Sequence, residues 1–203
     1  MYFTYLNLPM LPTHLEAQML ELVNTLTVVK NNNDRSNLNI SASEEVINAI
    51  TNTPYDAANS LGFPLADAWE HFKDLAHFDF LEVNKEINEW AREFISKDVI
   101  HASIQAMYHG TCITPHIDEM RSFAYNYVIS TGGDAITCFY KAKPEFDHLT
   151  AYPQTIFPVN RLELLEEIQI EPRRWHKLDT STIHSVKNLD PSLKRISLSL
   201  SFL

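Results

Sequence analysis

The densest grouping of metal-ligating side chains in this sequence is Thr114-Pro115-His116-Ile117-Asp118. Along an extended chain, residues two apart point to the same face. His116 and Asp118 therefore present an imidazole and a carboxylate side by side, and a divalent metal accepts both. A third ligand type, His184, stands 66 residues beyond Asp118, behind the turn-rich run Asp179-Thr180-Ser181-Thr182. Eleven residues further on, Lys194 to Phe202 alternates strictly. Arg195, Ser197, Ser199 and Ser201 share one face, and Ile196, Leu198, Leu200 and Phe202 share the other. Each feature has an ordinary explanation when taken alone. A His-x-Asp pair suits a solvated turn after a strand. An alternating strand suits an apolar face on the core and an Arg/Ser face in water.

Taken together, two histidines and a carboxylate make the facial triad of non-haem Fe(II) oxygenases, which leaves coordination positions open. A nearby arginine with a serine two residues on can hold a dicarboxylate, the guanidinium through a two-pronged grip and the hydroxyl through one more bond. In this order, His-x-Asp, distant His, then Arg-x-Ser, the sequence resembles the Fe(II)- and 2-oxoglutarate-dependent dioxygenases. Leu178 through Asn188, continuing to Arg195-Ile196-Ser197-Leu198, is most similar to the aspartyl/asparaginyl β-hydroxylase-like branch. Tyr108-His109-Gly110 through Asp118 is similar to prolyl hydroxylases. The resemblance covers roughly residues 100 to 203. It implies a double-stranded β-helix (jelly-roll) core, Fe(II) on His116, Asp118 and His184, and Arg195 with Ser197 on the distal carboxylate of 2-oxoglutarate. It also implies O₂ as oxidant, succinate and CO₂ as co-products, and hydroxylation of an amino-acid, peptide or protein side chain. Related halogenases carry a small residue where this chain has Asp118, so the carboxylate points to hydroxylation. Two alternatives stay open: a non-catalytic jelly-roll binding module, and a cupin-like metalloenzyme that does not use 2-oxoglutarate.

Secondary candidates surround these. Asn126 interrupts an apolar and aromatic run and is a pocket donor for the co-substrate or a partner for buried backbone. Tyr108 resembles a tyrosine that contacts the co-substrate in some prolyl hydroxylases, displaced by one residue. Arg121, three residues after Asp118, is a substrate contact at the pocket mouth or a surface ion pair. His176 lies eight residues before His184 across a turn, which implies no adjacency. His71 and His77 read as packing or surface residues of a helical or turn region.

These residues need elements to position them. The first 98 residues read mainly helical: a segment from Thr13 with Leu15, Met19, Leu22, Val23 and Leu26 on one face, a short helix from Ser43 to Ile50, a stretch around Trp69, Phe72 and Leu75, and a helix over Val83 to Ile95. From residue 99 the apolar residues come in short or alternating runs. Strands are predicted at Ile100–Tyr108, Cys112–His116, Phe123–Ser130, Ala135–Tyr140, Thr155–Pro158, Ile168–Glu171, His176–Asp179 and Arg195–Phe202, with turns at Gly110, Gly132-Gly133 and Asp190-Pro191. The expected architecture is α+β with a mainly β core: one domain over residues 1–203, a helical support layer in 1–98 and a jelly-roll core in 99–203.

Composition narrows the function classes. With 203 residues and 45% hydrophobic content the chain can bury a real core. Its two cysteines cannot build a Cys₄ metal site or a disulfide framework, so any transition metal must rely on histidine and carboxylate. Sixteen basic against 26 acidic residues give a net charge of -10, which argues against nucleic acid as partner, because phosphate neutralisation dominates that binding. No apolar run approaches the roughly 18 residues of a membrane span, and no basic-then-apolar leader opens the chain. The expectation is a cytoplasmic enzyme acting on a small molecule, peptide or protein, with the N-terminal helices forming a lid or a dimer surface.

Overall fold

The structure, a computed structural model, describes residues 1–25, 75–78, 82–107, 112–118, 121–143, 149–151, 154–157 and 162–202. Two helices and twelve strands are present among them: β1 (Phe3–Tyr5), α1 (Thr13–Thr25), β2 (Leu75–Phe78), α2 (Glu82–Phe94), β3 (Val99–Met107), β4 (Ile113–Asp118), β5 (Phe123–Thr131), β6 (Ile136–Ala142), β7 (Leu149–Ala151), β8 (Gln154–Ile156), β9 (Leu162–Ile168), β10 (Trp175–Asp179), β11 (Ile183–Lys187) and β12 (Arg195–Phe202).

The strands form two six-stranded antiparallel sheets, ordered β1-β10-β5-β12-β3-β2 and β7-β8-β4-β11-β6-β9. Four pairings are nested: β3 with β12, β4 with β11, β5 with β10 and β6 with β9. That nesting is a long hairpin wound into two facing sheets, which is the jelly roll. Residues before 99 supply both outer strands of the first sheet, β1 on β10 and β2 on β3.

The first sheet is buried on both faces. Its outer face carries Ala102, Ile104, Ala106, Tyr127, Ile129, Trp175, Ile196, Leu198 and Leu200, all packed with Leu15, Met19 and Val23 of α1 and Ile87 and Ala91 of α2. Both helices place these residues at three- to four-residue spacing, one apolar stripe each. Trp175 anchors the layer, stacking on Trp90 at 6.3 Å and donating its indole N–H to the Pro9 carbonyl at 2.8 Å. Asn84, buried in α2, donates to the Ala102 carbonyl at 2.9 Å and ties helix to strand. The opposite face of the sheet is polar and turns toward the second sheet.

Several expected elements move. The Arg/Ser face of β12 is not the open solvent face expected: Ser197 is 8% and Ser199 0% exposed, and Arg195 and Ser201 are half-buried, because the helices take the apolar face and the second sheet covers most of the polar one. The strand expected at Ile168–Glu171 lies earlier, at Leu162–Ile168. It is an edge strand whose residues 163–167 are all exposed, so no alternation marks it. Leu75 and His77, read with a helical or turn region, belong to β2. Strands β1, β7 and β11 carry no strand pattern in the sequence. The segment Ser43–Ile50, the stretch around Trp69 and Phe72, and Gly110 lie outside the described residues.

Candidate metal centre

His116 and His184 are directly opposed on the antiparallel pair β4–β11. Their rings lie 4.3 Å apart, centroid to centroid. A bulge makes this possible. Ile113 faces Val186 and His116 faces His184, three residues on one strand against two on the other, with the irregularity between them. Three residues along a regular strand would put Ile113 and His116 on opposite faces; the extra residue re-aims His116 inward with Ile113. Pro115 sits in this bulge, where its missing N–H costs no ladder bond, and its carbonyl accepts from the Phe157 amide at 2.8 Å.

Asp118 ends β4, its amide donating to the Thr180 carbonyl at 2.9 Å. Its Oδ1 lies 3.7 Å from His116 Nε2. One ligand atom from each of His116, Asp118 and His184 falls within 4.8 Å of the others; two ligands on one ion at bond lengths of about 2.0–2.2 Å stand at most about 4.4 Å apart, so a small inward shift of the side chains closes the cluster on a metal. His184 Nδ1 stands 2.8 Å from the Thr182 carbonyl. A carbonyl only accepts, so Nδ1 carries the proton and Nε2 holds the lone pair for a metal. The loop before it is stiffened by Asp179, which accepts from the amide and hydroxyl of both Ser181 and Thr182.

The electrostatics favour a cation-ready site. Burial pushes His184 down to about 4, helped by the neighbouring His116, so its imidazole is neutral at physiological pH. Burial works against the Asp118 charge, but Arg121 and the two histidines outweigh it and hold the carboxyl well below its ordinary range. The Asp118 carboxylate and the neutral His184 imidazole are in the protonation states a divalent ion requires.

Arg121, expected either at the pocket mouth or in a surface ion pair, pairs with the candidate ligand Asp118. Its Nε donates to Asp118 Oδ2 at 2.8 Å, and its Nη1 donates to Ser199 Oγ at 2.8 Å and Ser201 Oγ at 3.2 Å. It also lines the cavity.

The triad opens into a cavity of about 90 Å³ between the sheets, room for a small organic acid, since one water needs roughly 10–15 Å³ on the same measure. Its wall includes Arg195, Ser197, Asn126, Gln105, Thr137 and His176. The structure thus gathers His116, Asp118, His184, Arg121, Arg195, Ser197 and Asn126 around one space; Tyr108 lies outside the described residues. Arg195 stands at the start of β12, its Nη1 donating to the Thr131 carbonyl at 3.4 Å. Burial alone pulls its pKa down to about 10, and no described acid offsets that cost. Gly132, at φ +71°, packs against it: a Cβ there would come within 2.9 Å of Arg195 Cβ.

Sequence reasoning missed His176, Gln105 and Thr137. His176 reaches the cavity from the first sheet, opposite Asn126 in the register. It is 1% exposed and stacks on Phe3 at 5.0 Å, and burial lowers its pKa to about 4. The signal was present, since His176 and Leu178 alternate with Trp175 and Lys177, but it did not identify the inward face. Asn126 lines the cavity, and its Oδ1 is buried with no hydrogen-bond partner among the described residues. Cys138 is buried, Cys112 is half-buried, and both are free thiols.

No family model and no curated protein sequence matches the chain. Solved structures similar to it include Escherichia coli ycfD, at 15% identity and TM-score 0.38, covering 67% of this chain and 32% of that one. A cupin superfamily protein from Desulfitobacterium hafniense DCB-2 matches at 8% identity and TM-score 0.33, covering 64% and 77%. Bacillus subtilis oxalate decarboxylase matches at 12% identity and TM-score 0.32, covering 64% and 26%. The chain thus spans about a third of ycfD and a quarter of the decarboxylase. At such scores nothing about function passes from them to this chain, whose mainly β jelly roll and His-Asp-His cluster stand on its own strand order and distances.

Proposed function

We propose that this protein is an Fe(II)- and 2-oxoglutarate-dependent oxygenase that hydroxylates an amino-acid, peptide or protein side chain. The observation that carries the reading is the unbalanced Arg195 guanidinium in the same cavity as the His116-Asp118-His184 cluster. A buried cation without a counter-ion is costly, and an anionic ligand removes that cost. The metal cluster lies on one sheet and the guanidinium on the other. Four strand residues, roughly 13 Å of chain, separate Arg195 from Ser199, the level at which Arg121 meets Asp118. A ligand with a chelating head for the metal and a distal carboxylate for Arg195, as in 2-oxoglutarate, would use both grips, with the Arg195 side chain reaching into the shared cavity.

The fit to Fe(II) follows from the donors: two imidazoles and one carboxylate, with no thiolate in the cluster, suit a divalent first-row ion with positions left open. When bound, Fe(II) with 2-oxoglutarate and O₂ supplies an oxidation able to hydroxylate an unactivated C–H bond, leaving succinate and CO₂. The chain supplies the rest. His116, Asp118 and His184 hold the metal, and the Thr182 carbonyl keeps His184 in the ligating tautomer. Arg195 and Ser197 take the distal carboxylate. Asn126 lines the same space as a polar wall, and Ile113, Val128 and Val186 line it as apolar wall and limit water. With a net charge of -10, we place the substrate among small molecules, peptides and proteins of the cytoplasm rather than nucleic acids.

Anaerobic titration tests this. Fe(II) with 2-oxoglutarate should give a weak visible metal-to-ligand charge-transfer band that His116→Ala abolishes. Absence of the band in the unmodified protein overturns the reading. A band unaltered in intensity and affinity by Arg195→Met removes the guanidinium from the co-substrate grip and with it the observation that carries the reading, turnover that needs no 2-oxoglutarate favours a cupin-like metalloenzyme, and a band without substrate-coupled succinate favours a binding module.

A further inference from the structure

Asp118 does not stand alone at the metal cluster. Arg121 Nε takes its Oδ2 at 2.8 Å, while Oδ1 is the oxygen directed to His116 Nε2 at 3.7 Å. Arg121 is in turn fixed from the opposite sheet, where Ser199 and Ser201 accept from Nη1. Its backbone is pinned as well: the Thr180 hydroxyl donates to the Arg121 carbonyl at 2.7 Å, and the Thr180 amide donates to the Ser122 carbonyl at 3.1 Å. The guanidinium thus spans from β12 to the end of β4 with both ends held. A carboxylate can bind one metal ion through one oxygen or through both. Here one oxygen is committed to a charge-assisted bond.

We infer that Arg121 is a positioning residue that makes Asp118 a one-oxygen ligand and so preserves the coordination position that O₂ needs beside a chelating co-substrate. The inference rests on the metal reading above. An octahedral ion held by two imidazoles and one carboxylate oxygen keeps three positions, two for a chelating 2-oxo acid and one for O₂. If both Asp118 oxygens bound, only two would remain, the 2-oxo acid would fill both, and none would be left for O₂. Losing Arg121 should therefore act on the metal and on a diatomic ligand in opposite senses. Freed of its competitor, the carboxylate holds the metal as tightly or more tightly, and the third open position closes. A residue that merely propped up the fold would weaken both together.

The experiment uses Co(II), whose visible d–d bands report coordination number, and then anaerobic Fe(II) with 2-oxoglutarate and nitric oxide, a diatomic stand-in for O₂ whose iron complex is read by electron paramagnetic resonance. It is run on the full chain, on Arg121→Ala, and on Ser199→Ala/Ser201→Ala, which loosens the anchor and retains the guanidinium. The expected result for Arg121→Ala is Co(II) affinity equal to or above that of the unmodified protein, an altered d–d spectrum, and at least tenfold weaker nitric oxide binding once 2-oxoglutarate is in place. The double serine variant should move the same way by a smaller factor. Lysine carries charge but lacks the planar fork, so Arg121→Lys should rescue only part of the loss. Parallel loss of Co(II) and nitric oxide affinity in both Arg121→Ala and the double serine variant overturns the inference, as does an unchanged spectrum with unchanged affinities. Failure of the unmodified chain to bind one Co(II) in a His116-dependent way instead overturns the metal reading on which it rests.

Discussion

At the scale of single residues, Arg195 carries a charge that no neighbouring acid balances, and this sets stability against binding. Exchanging it for methionine removes an uncompensated buried cation while keeping most of the packing volume. The Arg195→Met protein should be at least as stable to urea without ligand as the unmodified chain. Its affinity for 2-oxoglutarate should fall roughly 10- to 150-fold, the worth of a charge-assisted contact of about 1.5–3 kcal/mol. Calorimetric titration beside urea melts checks both signs. His176 gives a second expectation. Its folded value of about 4 lies below the ordinary histidine value of 6.5, so the unfolded chain binds more protons between those limits and stability rises with pH there. The contribution is fully present above pH 6.5 and is lost as pH falls to about 4, on the order of 3 kcal/mol. His176→Gln should flatten that part of a stability–pH profile measured by urea midpoints. Of these two residues only Arg195 was legible in the sequence, because its meaning came from order along the chain. His176 acquires its role from the register with Asn126, which local sequence does not encode.

At the scale of elements, the β12 alternation shows how far a pattern reaches. It identified the strand and separated its two faces correctly, yet the faces alone could not say what covers them. The helix layer above and the second sheet below bury both. Strand β11, which delivers His184, had no readable pattern, since residues 183 to 186 are all buried and Ile-His-Ser-Val does not alternate. The bulge in β4 is likewise invisible locally, though Pro115 within a strand hints at it. The turn joining β5 to β6 bears a direct test. Gly132 holds φ +71° with its missing Cβ facing Arg195. Gly132→Ala should cost about 1–3 kcal/mol through left-handed backbone strain. It should also weaken 2-oxoglutarate binding by displacing Arg195, whereas Asp134→Ala, exposed in the same turn, should leave both nearly unchanged. Denaturant midpoints and titration of the two variants decide it.

At the scale of the whole molecule, the jelly roll brings a metal cluster and the Arg195 guanidinium from opposite sheets into one space inside a chain of net charge -10. A metal that binds only the folded form stabilises it by mass action. Free Co(II) at 100 times its dissociation constant should add about 2.7 kcal/mol; the thermal midpoint should rise accordingly, and His116→Ala should abolish the rise. The fold class was legible because turn residues and short apolar runs mark most of the strands. The edge strands β1, β2 and β9 were not, being short or exposed. The nested pairing has a kinetic consequence. Ligands 66 residues apart in sequence meet only when β11 folds back onto β4, so loop closure must precede any ion. The metal cannot act as a seed for folding, as it does in zinc fingers whose ligands lie close together. It acts as a latch on a structure already closed. Removing it with a chelator should speed unfolding and leave the refolding rate where it was.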